Sequence, residues 1–524
     1  MSKNSFTLIF LLITQLFVYA QDTQAFEEFW DNDKKTPRSR GSYLNGSEHG
    51  RWDYFYKSGK IKETVHFNRG RIDGEVKHYF ESGKTESVGY FKFGLPDSLF
   101  QSWHENGQTA AKGVYDNGRK SGYWEHFYPN GALMKYESYT DGKMLLVTYN
   151  GPDGKSKIEK GNGFYLESYP DGKPKKKINY AGGIPDGEWE EYFANGKLMA
   201  KGSYNADQKH GEWVEYYSTG EIKALRNYVN GVLNGHTMEK LSPGIKNFEG
   251  SFLDDEKVGE WTWYHTNGKP EMKGYFVENE QDGPWTFYFK SGAVQTKGEF
   301  TKGLKNGDWV YFYENGTKEK EGVYKNNLKQ GYWQYWFENG KNYQAGYYVD
   351  DKEQKEWLSW YENGQLRDKG NFIDGQPNGY WEGFTENGLA RYTGNWENGV
   401  QSGYWKRYHQ NGKPKEEGNY KNGQKDGTWK VYYEESGNTM QEGSYNNGRQ
   451  SGKWKYYSGP GTLIEERSYH DGKLNGKAVQ YAENGELMMT CSYKDNKLDG
   501  KYITYRNGQA VKEVRYENGK RLAD

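Results

Sequence analysis

Cysteine is almost missing from this chain. Cys491 is the single one in 524 residues, so no intramolecular disulfide can form and stability has to come from packing. In the context MMTCSY it reads as a small buried filler rather than a nucleophile. Aliphatic residues are scarce as well. Hydrophobic side chains make up 34% of the sequence and the mean hydropathy is −1.14, values that exclude a thick two-layer core and would by themselves lean towards disorder. Net charge is nearly absent, −1 from 71 basic and 72 acidic side chains, so no long-range field draws nucleic acid or anionic lipid. The local cluster Lys173–Lys177 (KPKKK) lies beside a turn and reads as solvated loop. Nucleic-acid binding is not expected.

The chemistry of catalysis is missing too. There is no HExxH, no phosphate loop and no GxSxG. Pro-Asp-Gly at Pro152–Gly154, Pro170–Gly172 and Pro185–Gly187 lacks the alternating acidic ligands of a calcium loop. Glu190 and Glu191 point to opposite faces if they lie on a strand and cannot act on one substrate. The expectation is a protein that is not an enzyme, with no catalytic residue, no metal ligand and no cofactor.

What the sequence does have is aromatics and a period. Phe, Trp and Tyr make up 17%, with 48 Tyr and 19 Trp, and there are 69 glycines. A 24-residue unit is seen cleanly at Gly307–Gln330, GDWVYFYENGTKEKEGVYKNNLKQ. Its opening recurs at Gly163, Gly187, Gly211, Gly235, Gly259, Gly283, Gly307, Gly331, Lys355, Gly379, Gly403 and Gly427. A fixed period of this size marks a repeat array, which grows by adding units rather than by enlarging one core.

With the opening glycine counted as zero, Trp309 lies at plus two, Phe312 at plus five, Tyr313 at plus six, Asn315-Gly316 at plus eight and nine, Gly322 at plus fifteen and Tyr324 at plus seventeen. Asn-Gly between two aromatic runs predicts a hairpin with a two-residue type I′ turn. Register then follows by arithmetic: Trp309 faces Gly322 and Tyr313 faces Lys318, and in an earlier unit Trp189 faces Gly202 and Phe193 faces Leu198. An indole over a cross-strand glycine pins register and shields bare backbone. The expected core is therefore Trp189, Gly202, Trp213, Trp261, Gly274, Trp285, Gly298, Trp309, Gly322, Trp333, Gly346, Trp357, Gly370, Trp381, Gly394, Trp405, Gly418 and Trp429.

Alternation puts plus two, six, eleven, fifteen and seventeen on a buried face, and plus one, three, five, twelve and fourteen on a polar one. Plus five breaks the polar pattern, being aromatic in seventeen of nineteen aligned units. Tyr264, Tyr288, Phe312, Trp336, Trp360, Phe384, Tyr408 and Tyr432 thus form a candidate binding ladder. The plainer reading is that each ring packs on neighbouring Lys and Glu stems and stiffens the sheet. His104, His265 and His409 stand at plus six, where other units carry Tyr or Phe, and read as packing substitutions rather than ligands.

From the N-terminus, residues 1–20 read as a secretory signal: Lys3, the apolar run Phe6–Val18, and a small-residue site placing cleavage between Ala20 and Gln21. That run of thirteen residues is too short to span a bilayer comfortably. The mature chain is expected to be exported, to the periplasm, cell surface or medium, with no transmembrane span after cleavage. Residues 21–40 form a lead-in, 41–142 a first block of hairpin repeats, 143–162 a degenerate shortened repeat and 163–524 a second block. The fold class is all-β, an elongated antiparallel hairpin array of about 19–20 units.

The phrase Gly-x-Trp-x-x-Tyr-Tyr-x-Asn-Gly-Lys, followed by Gly-x-Tyr-x-x-Gly, resembles the MORN-type repeat in the bacterial variant of YwqK-like antitoxins, over roughly 41–524. The resemblance implies a string of β-hairpins in one long sheet, used for protein association or, in some relatives, membrane-lipid contact. The antitoxin label implies neutralising a partner toxin. Three functions follow as expectations: an exported non-enzymatic scaffold that binds a protein partner, a binder of cell-surface glycan or cell wall through the aromatic ladder, and an antitoxin or immunity-type neutraliser.

Overall fold

The structure is a computed structural model that describes residues 23–523. The expected signal segment and its cleavage site at Ala20 and Gln21 lie outside the described residues. Within them the chain forms forty-six strands and no helix. It divides into two compact units between Thr237 and Met238, and the irregular segment 143–162 falls inside the first. In each unit successive strands pair antiparallel, so the neighbour in sequence is the neighbour in space. The sheet is open: the first described strand, Thr23–Phe29, pairs with Pro37–Leu44.

One repeat in the second unit shows the logic. Strands Leu304–Phe312 and Lys318–Lys325 pair with Trp309 opposite Gly322. Trp189 opposite Gly202 repeats this in the first unit. The expected turn is different, however. Asn315 is not among the residues with positive φ, whereas Gly316 is left-handed at +87°. The Gly316 N–H donates to the Tyr313 carbonyl at 2.9 Å and the Tyr313 N–H to the Thr317 carbonyl at 2.8 Å. This is a type I turn followed by a glycine bulge, not a two-residue type I′ turn. Lys318 consequently pairs with Phe312 rather than Tyr313, and Leu198 with Tyr192 rather than Phe193. The bulge absorbs one residue, which is why the Trp–Gly register survives.

Type I′ turns do occur, at the other end of the repeat. Asn326 and Asn327 have φ of 50° and 70°, and Asn398 and Gly399 have 50° and 80°. Asn315 serves another purpose. Its Oδ1 accepts the Thr317 N–H at 2.9 Å, while its Nδ2 donates to the Glu338 carbonyl of the next repeat at 3.2 Å. Asn339, Asn363 and Asn411 repeat the link to Glu362, Glu386 and Glu434. The asparagine of these Asn-Gly turns is thus a rung between hairpins.

The indoles also go to different glycines from those expected. A Cβ on Gly322 would run into the ring of Trp333, not Trp309; one on Gly298 would meet Trp309. Gly202 lies under Trp213, Gly274 under Trp285, Gly346 under Trp357, Gly370 under Trp381, Gly394 under Trp405 and Gly418 under Trp429. Each of these glycines is therefore covered by the tryptophan of the following repeat. The indole N–H then reaches back across the seam, as from Trp333 to the Val323 carbonyl at 3.2 Å. The cause is a register slip between hairpins, where Lys297 pairs with Val310 but Glu299 with Asn306. Gly307, at φ +67°, turns the chain at that slip.

Each core is thin. Trp213, Trp261, Trp285, Trp309, Trp333, Trp357, Trp405 and Trp429 are buried. Trp189 and Trp381 are half-buried, and Trp189 stands opposite Ile178 where a glycine is otherwise found. Phe300 meets Trp309 edge-on at 5.1 Å and Tyr348 meets Trp357 at 5.0 Å. Lysine ammonium groups close the face, Lys305 at 4.4 Å from Trp309 and Lys425 at 3.8 Å from Trp429. Burial lowers the Lys305 pKa below the ordinary lysine value.

Gly89 is kept where Phe100 replaces the tryptophan of the following repeat, but in several repeats that lack the ring the glycine position changes too. Glu137 occupies it in the first unit, buried among His126 at 3.2 Å, Lys135 at 2.5 Å and Tyr139 at 3.1 Å. Burial pushes its carboxyl up, but the hydrogen bonds from His126 and Lys135 outweigh that and hold the pKa at about 2. The segment 143–162 that follows packs Leu146, Tyr149 and Ile158 instead of an indole. Arg226 precedes Thr237, and Arg467 precedes Ala478.

Candidate functional site

The two sheet faces behave differently. One carries the indoles with the plus-four rings Trp263, Phe287, Tyr311 and Tyr335, which pack on the tryptophan row and were not foreseen from sequence as core. Tyr311 and Tyr335 pair their hydroxyls with Tyr324 and Tyr348, and burial first, then those bonds, drives their pKa values well above the ordinary phenol range. At plus six, Tyr313 and Tyr361 donate to the Trp336 and Phe384 carbonyls at 2.9 Å. His104, His265 and His409 make the equivalent bond through Nε2 to Phe127, Tyr288 and Tyr432. These histidines are seams between repeats.

The opposite face holds the plus-five ladder. Tyr264, Tyr288, Phe312, Trp336, Trp360, Phe384, Tyr408 and Tyr432 are all half-buried. Tyr432 donates to Glu417 at 2.5 Å and Tyr264 to Glu249, and burial together with these bonds raises both phenol pKa values. Lys318 stands 5.5 Å from the Trp336 ring and Lys406 5.6 Å from Tyr408. The rings lie along one face, with charged stems packed over several of them.

An exposed apolar groove lies on the face opposite the indoles in the first unit. It spans five consecutive strands, Thr85–Lys92, Leu95–Trp103, Thr109–Asp116, Arg119–Phe127 and Leu133–Thr140. Leu99, 68% exposed, stands directly opposite Val114. Tyr90 lies on one flank. On the other, Tyr123, 62% exposed, stacks on Tyr136 with centroids 5.2 Å apart and planes 11° from parallel. Together with Val88 and Trp103 these residues line a groove of about 560 Å³. Its two charged residues, Lys112 and Glu125, pair with each other at 2.5 Å.

Tyr90, Leu99, Val114 and Tyr123 stand at plus sixteen and plus one, positions a repeat consensus treats as variable. The available signal was departure from the pattern. The same positions carry Asp308 and Val323, or Glu356 and Asn371, in some later repeats and the exposed pair Tyr332 and Tyr347 in another; the first unit is distinctive in placing Tyr90, Leu99, Val114 and Tyr123 on adjacent strands.

Among the described residues no group of His, Cys, Asp or Glu is placed to hold a metal ion, and no helix is long and apolar enough to cross a membrane. The family model described as a MORN repeat variant matches ten segments: 48–69, 72–93, 120–141, 185–206, 209–230, 257–278, 305–326, 353–374, 401–422 and 474–495. No curated protein matches the chain. Among solved structures, it is similar to "TcdB2-TccC3-Cdc42" at 10% identity and a TM-score of 0.13, covering 94% of this chain and 30% of that one. "TcdB2-TccC3-TEV" is similar at 11% identity and 0.13, covering 98% and 33%. The chain thus spans about a third of those structures, and at that TM-score the likeness carries no argument.

Proposed function

Because the chain is a MORN-type repeat protein, we propose that it is an exported, non-enzymatic scaffold that binds another protein on the outer face of its sheet. The observation that carries this reading is the apolar groove around Leu99, Val114 and Tyr123, open to solvent and ringed by charges that already have partners. Burying such a surface releases water at about 25 cal/mol per Å², with no charge left stranded. A periodic sheet offers recognition positions at regular spacing and no convergence of unlike groups, which suits binding rather than turnover.

The test is affinity capture from the native envelope with the mature chain, alongside Leu99→Asp and a Tyr288→Ala, Phe312→Ala, Trp336→Ala and Trp360→Ala variant. A bound protein lost with Leu99→Asp and kept with the ladder variant supports the scaffold. Polysaccharide lost only with the ladder variant would replace it with glycan binding. A captured toxin whose activity the chain suppresses would make it a neutraliser. N-terminal sequencing of the exported protein should begin at Gln21, and a chain retaining Met1 would sink the export component.

A further inference from the structure

We infer that the groove between Tyr90 and Tyr136 receives a proline-rich segment of another protein, held in the extended polyproline II conformation. This rests on the scaffold reading and names the partner's chemistry.

Three observations select that occupant. First, the groove offers no free strand edge. The strands beneath it are interior, each paired on both sides: Leu95–Trp103 with Thr85–Lys92 and Thr109–Asp116, and Arg119–Phe127 with Thr109–Asp116 and Leu133–Thr140. Their backbone groups are used in the ladders, so a partner cannot join as an added strand and must satisfy its own backbone. Polyproline II does so, with its backbone solvated and many N–H groups absent.

Second, the area is small. Four strand spacings of about 4.8 Å and two same-face residue steps of about 7 Å give roughly 20 by 14 Å, near 300 Å². A stable dimer needs about 800 Å² from each partner. A second folded copy is therefore under-supplied, whereas 20 Å takes about six residues at the polyproline rise of 3.1 Å.

Third, the lining matches the chemistry. Parallel Tyr123 and Tyr136 rings form one wall, with Trp103, Leu99 and Val114 beside them. Aromatic walls accept proline rings, and the preformed ligand loses little entropy on docking. The exposed Tyr123 phenol can donate to a ligand carbonyl. With Lys112 and Glu125 already paired to each other, the site favours an uncharged core sequence.

The experiment is a titration of the exported chain with the fluorescein-labelled decapeptide APPLPAPPLP, followed by anisotropy. Two controls accompany it, the same peptide with every Pro changed to Ser, and an amphipathic helical decapeptide of equal apolar content. Saturable binding is expected, at least tenfold weaker for the serine peptide and at least tenfold weaker with Leu99→Asp or Tyr123→Asp. The exposure of Leu99 and Tyr123 keeps both variants folded, and circular dichroism checks this. Equal binding of the serine or helical peptide, or unchanged binding by both variants, would overturn the inference. Sedimentation showing a dimer that Leu99→Asp dissolves would overturn it in favour of self-association. The envelope capture separates the failures: a protein partner lost with Leu99→Asp but with no proline-rich stretch leaves the scaffold standing and removes this ligand.

Discussion

At the scale of single residues, the glycine and tryptophan of neighbouring repeats are one unit of design. Gly322 has no room for a Cβ because Trp333 lies on it. Gly322→Ala should therefore lower stability by about 1–3 kcal/mol, as overpacking does. Adding Trp333→Ala should recover part of that loss, while adding Trp309→Ala should not; a double-mutant cycle in urea reads the difference. Lys355 is the converse case. It holds φ +60° at the slip where other repeats place glycine, so Lys355→Gly should stabilise by about 1 kcal/mol by relieving a left-handed conformation. Thermal unfolding at or below the wild-type midpoint would refute this.

Glu137 adds a pH dependence. Its folded pKa of about 2 lies below the ordinary 4.5, so its stabilisation is fully present above about pH 4.5 and is lost as pH falls through 2. Glu137→Gln should cost about 3 kcal/mol at pH 6, the equivalent of that shift. The gap from wild type should narrow steadily below pH 4.5. A constant gap from pH 6 to pH 3 would show that the cost comes from shape rather than charge.

At the scale of the hairpin, much of the cohesion is carried by bonds that leave one repeat and land in the next. The Tyr313 hydroxyl reaches the Trp336 carbonyl at 2.9 Å. Tyr313→Phe should cost about 1 kcal/mol, while Tyr313→His should cost less, since His265 makes the same bond to Tyr288. Equal losses in the two variants would place the effect in packing. Hairpin existence and the Trp309–Gly322 register were both legible in the spacing. The turn type was not, because Asn-Gly suits two geometries; here the asparagine also donates to the Glu338 carbonyl of the next repeat. That bond belongs to the stack, not to the hairpin.

At the scale of the whole molecule, the pairing rule makes repeats exchangeable wherever the junction keeps glycine under tryptophan. Deleting 331–354 brings Gly322 to Trp357 and preserves the match. Deleting 452–475 brings Gly443, which now lies under Trp454, to Ala478. The first deletion should fold with a midpoint within a few degrees of wild type, as expected for a nearest-neighbour array. The second should fall further and unfold less cooperatively. Equal losses would mean that the cross-seam pairing contributes little.

The repeat, the strands, the hairpins and the two faces are local consequences of period and alternation, and the sequence by itself determined them. Which repeat supplies the ring over each glycine depends on the slip between hairpins, a geometry that appears only when neighbours pair. The groove around Leu99 was hidden for a related reason. Tyr90, Leu99, Val114, Tyr123 and Tyr136 are scattered over 47 positions of sequence, and only the lateral stacking of five strands brings them onto one surface.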